Sequence, residues 1–494
     1  MKRLLILLAL ILLLPAIGFA TELHVATNGA DSNPGTADAP FRTIQHAVNR
    51  AEAGDIIWVH GGRYVISESI RIPEKATSER RRCYLFAAGD GEVVIDGSAM
   101  HHTTKDEFRS ARGIYLNRNV NYWHIKGLRI CHMEDNGMKV EGSYNIIEHC
   151  TFHDNNDTGL QIGMGMPIPG EKAVVGLPEG EPIANPDYQF CRGNRVINCD
   201  SYNNADLRTW IEGEADDAGD ADGFACKLYP GPGNEFYGCR AWNNSDDNWD
   251  LYMVYHPVLI DHCWAARAGY TPDGQPIGKN GNGFKMGGGG SSGGAMFPRS
   301  TGAHVIKNCI AFENRDKGFD QNYASEGMYL INNTAWGNRY NYRFEAPLAH
   351  GHYYLRNCVG FNASVCNHEF RPTDVNNQAV ALDESHDSWT LLDGCNPYRE
   401  GEPNDHHVRN HTADYSAEFR SLSFADFTAP REHDGSLPNN GFGALYPHSK
   451  LRNLGTPIQR VVPRRFITEK RKERLNRITI PYRGSAPDLG AREE

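Results

Sequence analysis

Beyond residue 20 the chain has no apolar run approaching the ~20 residues that a helix needs to cross a bilayer, so no membrane span is predicted. It also lacks a positive balance: 50 Lys and Arg face 61 Asp and Glu, for a net charge of −11, which excludes nucleic acid as a partner. An anionic substrate stays open, provided that metal ions or local Lys and Arg supply the positive field. No cysteine stands at a lipid-attachment position after the N-terminal apolar run, and no acidic stretch has the ligand spacing around a turn glycine that an EF-hand requires. What the N-terminus does have is Lys2 and Arg3, an apolar run from Leu4 to Leu14, and the small-x-small site Gly18-Phe19-Ala20. That is the pattern of a secretory signal over residues 1–20, so a secreted chain beginning near Thr21 is expected, outside the cell, at its surface or in the periplasm.

Twelve cysteines in an exported chain would ordinarily suggest a disulfide framework. Seven of them, at 131, 150, 199, 239, 263, 309 and 358, recur at one place in a repeat. Residues at equivalent places stack, so these are expected to be inward-facing free thiols that act as small apolar side chains. Pairing among Cys83, Cys366 and Cys395 stays open.

Aligned on those cysteines the chain reads CHMEDN, CTFHDN, CDSYNN, CRAWNN, CIAFEN and, with Asn333 in the cysteine's place, NTAWGN. The fifth residue after the anchor is Asn in all six: Asn136, Asn155, Asn204, Asn244, Asn314 and Asn338. Asn tolerates left-handed backbone geometry and can hydrogen-bond from coil to coil. Short β-type runs flank each anchor with no room for helices between, and the shortest spacings, 19, 24 and 25 residues, suit one turn of a solenoid. The predicted fold is therefore all-β, a right-handed parallel β-helix. Phe41 to Glu52 has a helical spacing of apolar residues and is expected to cap the open end, and insertions at 163–189, 205–220, 267–281 and 287–302 are expected to wall a groove. The N-terminal cap and first coils are assigned to 21–110, the central coils to 111–370, and the last coils with an irregular tail, packed along or across the far end, to 371–494.

A second alignment, on NGMK, TGLQ, DGFA, NWD, NGFK, KGFD and NYR, yields a column of Lys139, Gln161, Ala225, Asp250, Lys285, Asp320 and Arg343. The residue before each member is apolar and points inward, so the column points outward. Coils lie about 4.8 Å apart, which makes Asp250, Lys285 and Asp320 lateral neighbours. Asp246 and Asp247 crowd the same turn as Asp250, and Asp222 comes from one coil earlier. Carboxylates at this density repel one another unless a cation sits among them, and hard oxygen donors without His or Cys select Ca²⁺. A lysine beside such an ion feels a charge that lowers its pKa and can serve as a base, while the ion acidifies a proton next to a uronate carboxylate.

At these residues the chain resembles the ninth family of polysaccharide lyases, whose members include a pectate lyase and rhamnogalacturonan lyases. The resemblance is carried by GPGNEFYGCRAWNNSDDNWDL, ADGF, GNGFKMGG, KGFDQN, INNTAWGN and SAPDLGA, in order, from about residue 120 to the end. It implies Asp222, Asp246, Asp247 and Asp250 as Ca²⁺ ligands and Lys285 as the base that removes the C5 proton, in a β-elimination leaving a 4,5-unsaturated uronate. Arg343, Asp320 and Lys139 are candidate contacts to the pectic polysaccharide. Trp249, Tyr252, Met253 and Tyr255, with Met164, Met166, Ile168 and Trp210 in the insertions, offer apolar surface to rhamnose methyl groups. On that ground rhamnogalacturonan I is placed ahead of homogalacturonan, with endo cleavage by a monomer as the expectation. A β-helix hydrolase is the nearest rival, yet the chain has no NTD and no GHG, and His350-Gly351-His352 reverses the latter. A non-catalytic glycan-binding solenoid with a structural Ca²⁺ is the alternative outside enzymes.

Overall fold

A computed structural model describes residues 20–165, 174–177, 180–184, 188–288, 302–322, 324, 327–344, 353–370, 382–393, 413–461 and 477–493. Residues 1–19 of the expected signal, Met166, Ile168, residues 289–294 of the glycine-serine run, His350-Gly351-His352 and Cys395 lie outside them. Among the described residues, strands of mostly three to five residues stack into three long parallel sheets of 12, 10 and 10 strands, each sheet taking one strand from successive coils. Alternate residues of the strands pack inward, so one apolar core runs the length of the coil stack, as the period-two pattern requires.

Two inner columns hold the coils in register. Cys150, Cys199, Cys239, Cys263, Cys309 and Cys358 precede strands that pair residue for residue, and Asn333 takes a place among them. Their thiols reach back to carbonyls of the preceding coil, as Cys199 does to Ile147 at 3.7 Å and Cys239 to Val196 at 3.6 Å. All eleven described cysteines are buried and free, Cys83 and Cys366 included. Cys131 stands outside the column. It ends its strand opposite His153, and Leu128 is the residue that aligns with Cys150.

The asparagine column follows in the next turn. Asn155 donates to Asn204 at 2.9 Å, Asn204 to Asn244 at 2.9 Å and Asn314 to Asn338 at 2.9 Å. Where Ala268 interrupts it, Asn248 spans the gap, accepting from Asn244 at 2.9 Å and donating to Asn314 at 3.1 Å. Two expectations need correction here. Asn136 is not in the ladder, because the shift at Cys131 puts Met133 in that place, where its N–H donates to Asn155. The left-handed residues are those just before the ladder, Asp154, Asn203, Asn243 and Glu313, with φ of 54°, 55°, 52° and 52°. They turn the chain so that the next side chain faces the neighbouring coil.

Asn204 is fully buried, accepts from the N–H and amide of Asn155, and donates to Ser201 and Asn244. Truncation strands several of these groups at about 1–3 kcal/mol each. Asn204→Ala is therefore expected to lower the unfolding free energy by about 2–4 kcal/mol, read as a shifted urea midpoint at constant slope.

At the N-terminal end the helix Ile44–Arg50, capped by the Thr43 hydroxyl accepting from His46 N–H, buries Ile44, Ala47 and Val48 against the core. The helix is shorter than the stretch expected, because Phe41 instead bridges to Val25 as extended chain. The tail lies along the side of the solenoid. Tyr415, Phe419, Phe427, Phe442, Leu445, Leu451 and Leu489 cover Trp264, Phe312, Trp336 and Phe361 on the sheet that ends with Val359–Phe361. Arg431, donating to Asp200 at 2.7 Å and to the Cys199 carbonyl at 2.9 Å, ties it to the coils. Among the described residues no helix is long and apolar enough to cross a membrane.

Candidate active site and metal centre

The site stands on the ten-stranded sheet running from Ile70–Ile72 to Cys366–Phe370. Inside this sheet Phe224, Trp249, Phe284, Phe319 and Tyr342 form a continuous aromatic stack with centroids 4.8–5.1 Å apart. Each ring is followed by an outward residue, and the pairing is the one read from the sequence: Lys139 with Gln161, Gln161 with Ala225, Ala225 with Asp250, Asp250 with Lys285, Lys285 with Asp320, Asp320 with Arg343. The stack fixes the rings, and the rings fix the column.

Three residues earlier in each coil lies a second row in which Asp222 and Asp247 are neighbours, with Asp246 beside them. Asp222, Asp247 and Asp250 each offer an oxygen within 4.8 Å of the others. Oxygens bound at 2.3–2.6 Å to one Ca²⁺ lie at most about 5 Å apart, so the set has the right size. Asp246 sits on the Lys285 side, accepting from the Asn280 amide at 2.7 Å. Asp247 is oriented by Asn282, whose N–H and amide donate to Oδ1 at 2.9 and 2.8 Å. Asp250 accepts from Tyr252 N–H at 2.9 Å, and Asp222 from Asp247 N–H at 3.3 Å.

Lys285 reaches into this group. Its Nζ is 2.9 Å from Asp247 Oδ2, 3.6 Å from Asp250 Oδ1 and 3.9 Å from Asp246 Oδ2. The closest contact is Coulombic, because Asp247 Oδ2 accepts no hydrogen bond at a proper angle. A second lysine, Lys227, lies 2.6 Å from Asp222 Oδ2 and 3.4 Å from Asp250 Oδ2. Sequence reasoning missed it. The available signal was alternation, since Lys227 follows Ala225 by two and shares its face.

Burial pushes the carboxyls of Asp222 and Asp246 well up, with neighbouring carboxylates adding to it, and raises Asp247 against the pull of Lys285. Burial works against both ammonium groups, yet the surrounding aspartates outweigh it and hold Lys285 and Lys227 well above the usual lysine range. With all four carboxyls ionised and both lysines charged, the pocket carries two excess negative charges, which one divalent cation balances. Together with an all-oxygen donor set this fits Ca²⁺.

The remaining candidates flank the cluster. Asp320 is buried and paired with Lys317 at 3.3 Å, and Arg343 with Glu369 at 3.2 Å while its guanidinium lies over the Tyr340 ring. Lys139 stands on the other side of the cluster, along the same column. A further acidic group, Asp206, Asp216 and Asp217, forms where the 205–220 insertion folds back, and burial pushes Asp206 up to about 6. Of the apolar residues assigned to the groove, Trp249 and Tyr255 are fully buried and Met253 is 2% exposed. Trp249 belongs to the inner stack and cannot touch a polymer. Tyr252, part-buried with its ring 5.9 Å from Lys285 Nζ, keeps its place beside the site.

The chain matches, over residues 23–357, a family model described as the Pel9A-like, right handed beta helix region. Pectate lyase L of Dickeya dadantii (strain 3937) is 32% identical over 95% of this chain and 90% of its own. Pectate lyase PEL9 of Emericella nidulans is 33% identical over 66% of this chain and 75% of its own. The crystal structure of pectate lyase Pel9A superposes with a TM-score of 0.68 at 30% identity, covering 97% of each chain. A rhamnogalacturonan lyase, with a TM-score of 0.63 at 24% identity over 87% of this chain and 97% of its own, shares the fold.

Proposed function

Because the chain belongs to the Pel9A-like right-handed β-helix family and is a polysaccharide lyase acting on pectic polymers, we propose that it cleaves them by Ca²⁺-dependent β-elimination at O4 of a galacturonate, with Lys285 as the base. The observation that carries this reading is the contact of Lys285 with the buried set of Asp222, Asp247 and Asp250. Those three aspartates and Asp246 would hold the ion, which when bound supplies charge that binds a uronate carboxylate and acidifies the adjacent C5 proton. Lys285 then takes that proton, the electron pair left at C5 forms the C4–C5 double bond as the C4–O4 bond breaks, and the departing O4 takes up a proton from water. Asn282 and Asn280 keep Asp247 and Asp246 turned into the site, and the aromatic stack beneath prevents the column from sliding.

The base must be neutral to act. In the metal-free protein the aspartates favour the ammonium, so deprotonation needs the opposing charge of the cation and a high pH. The rate of unsaturated-product formation, followed by its ultraviolet absorbance, is expected to rise into the alkaline range in the presence of Ca²⁺. An acidic optimum, or chain cleavage without the unsaturated product, contradicts the mechanism.

For the substrate we place homogalacturonan first, supported by the pectate lyases among the relatives. The inward turn of Trp249, Met253 and Tyr255 removes part of the apolar surface that favoured a rhamnose-bearing chain. Rhamnogalacturonan I is the second reading, favoured by the part-buried Tyr252 beside Lys285. Parallel digests of the two polymers, with products weighed by mass, separate them. Secretion is supported by the N-terminal apolar run, and endo cleavage by a polar column that extends on both sides of Lys285.

A further inference from the structure

The outward column extends three coils N-terminally from Asp250, through Ala225 and Gln161 to Lys139. Lys139 is only 3% exposed, and among the described residues it makes no hydrogen bond or ion pair. The carboxylates that could serve it are engaged elsewhere: Glu141 accepts from the Tyr115 hydroxyl at 2.8 Å, Asp135 from Arg112 Nε at 2.9 Å, and Asp157, whose carboxyl burial and the neighbouring Asp135 push up to about 7, from Thr158 N–H at 2.6 Å. The other cations of the column both have counterions, Lys285 with Asp247 and Arg343 with Glu369.

Two further donors beside Lys139 share its condition. The Gln161 side chain, on the next coil, is 4% exposed, and its amide nitrogen has no partner. Asn136 is 2% exposed, and its amide nitrogen also has none. By register, Asn136 and Lys139 hold the places that Asp247 and Asp250 hold three coils later. The geometry that pairs a cation with acceptors there leaves donors unpaired here. Buried donors without acceptors are costly, the ammonium most of all, and burial lowers the pKa of Lys139 to about 8. An incoming carboxylate relieves all of this and favours the charged lysine.

We propose that Lys139, with Gln161 and Asn136, forms a subsite for the carboxylate of a uronate ring several residues along the chain from the scissile bond. Lys139 is four coils, or about 19 Å, from Lys285 along the same face, within reach of an extended polyuronate lying on the sheet. This rests on the lyase reading, and it makes Lys139 a specificity residue rather than a catalytic one.

The test compares wild type, Lys139→Met and Lys139→Arg on galacturonate oligomers of graded length. Lys139→Met is expected to raise KM about tenfold on oligomers long enough to span four coils, to leave kcat within about twofold, and to leave short oligomers unaffected. Lys139→Arg should recover part of the loss. Because an unpaired buried ammonium is replaced by a thioether of similar length, Lys139→Met should unfold at a urea concentration no lower than wild type. An unchanged KM on long oligomers, an equal rise on short ones, or a destabilised variant would each overturn the subsite. Should wild type release no unsaturated product from either polymer, the lyase reading fails by itself. The subsite is then judged by calorimetric affinity for a long galacturonate oligomer, where equal binding by wild type and Lys139→Met overturns it and weaker binding by the variant supports it.

Discussion

Lys285→Ala should lower kcat by about two to four orders of magnitude, the usual weight of a positioned base, while the coils remain folded. Lys285 contributes one of two positive charges among Asp222, Asp246, Asp247 and Asp250. Its removal therefore makes the pocket more negative, and calorimetry should find Ca²⁺ bound at least as tightly as by wild type. Lost turnover with undiminished metal affinity is a combination that misfolding cannot produce. A variant that still cleaves at near wild-type rate would refute the base.

The second large effect concerns the metal. Chelation should abolish turnover and added Ca²⁺ restore it, and Asp247→Ala should abolish both turnover and tight binding. Asp247 is fully buried, held by two hydrogen bonds from Asn282, and nearest to Lys285, so no other side chain can replace it. Binding to the folded chain alone also adds stability, about 4 kcal/mol at a thousandfold excess over Kd. The unfolding transition of wild type should therefore rise with Ca²⁺ concentration, and that of Asp247→Ala should not. Activity that survives exhaustive chelation removes the aspartates from the chemistry.

The parts of this site that follow from periodicity were legible in the sequence. NWD, NGFK and KGFD each place an aromatic residue before a charged one, and that two-residue signature was enough to pair Asp250, Lys285 and Asp320 across gaps of 35 residues. Facing does not reveal where a long side chain goes. Lys227 follows its strand and reaches Asp222 through its stem, so only the folded turn brings the two together. Asn248 was hidden for another reason: its value lies in spanning the gap at Ala268, and nothing local in SDDNWD announces that gap. The misplacement of Asn136 came from trusting a cysteine. Cys131 and Cys150 look alike in sequence, yet a shift of three residues puts the first at a strand end. Trp249 misled through its size, since an aromatic residue beside an acidic cluster reads as binding surface until the inner stack claims it.

From Cys150 and Asn155 onward the thiol and asparagine columns clamp successive coils to one another, independently of what lies between them. Lys139 and Gln161 are 22 residues apart, Gln161 and Ala225 are 64 apart, and both pairs sit side by side on the sheet. Loop length is thereby uncoupled from catalytic geometry. A lineage can splice, lengthen or discard the excursions that shape the groove, and so retarget the enzyme to a different polymer, without disturbing the atoms that break the bond.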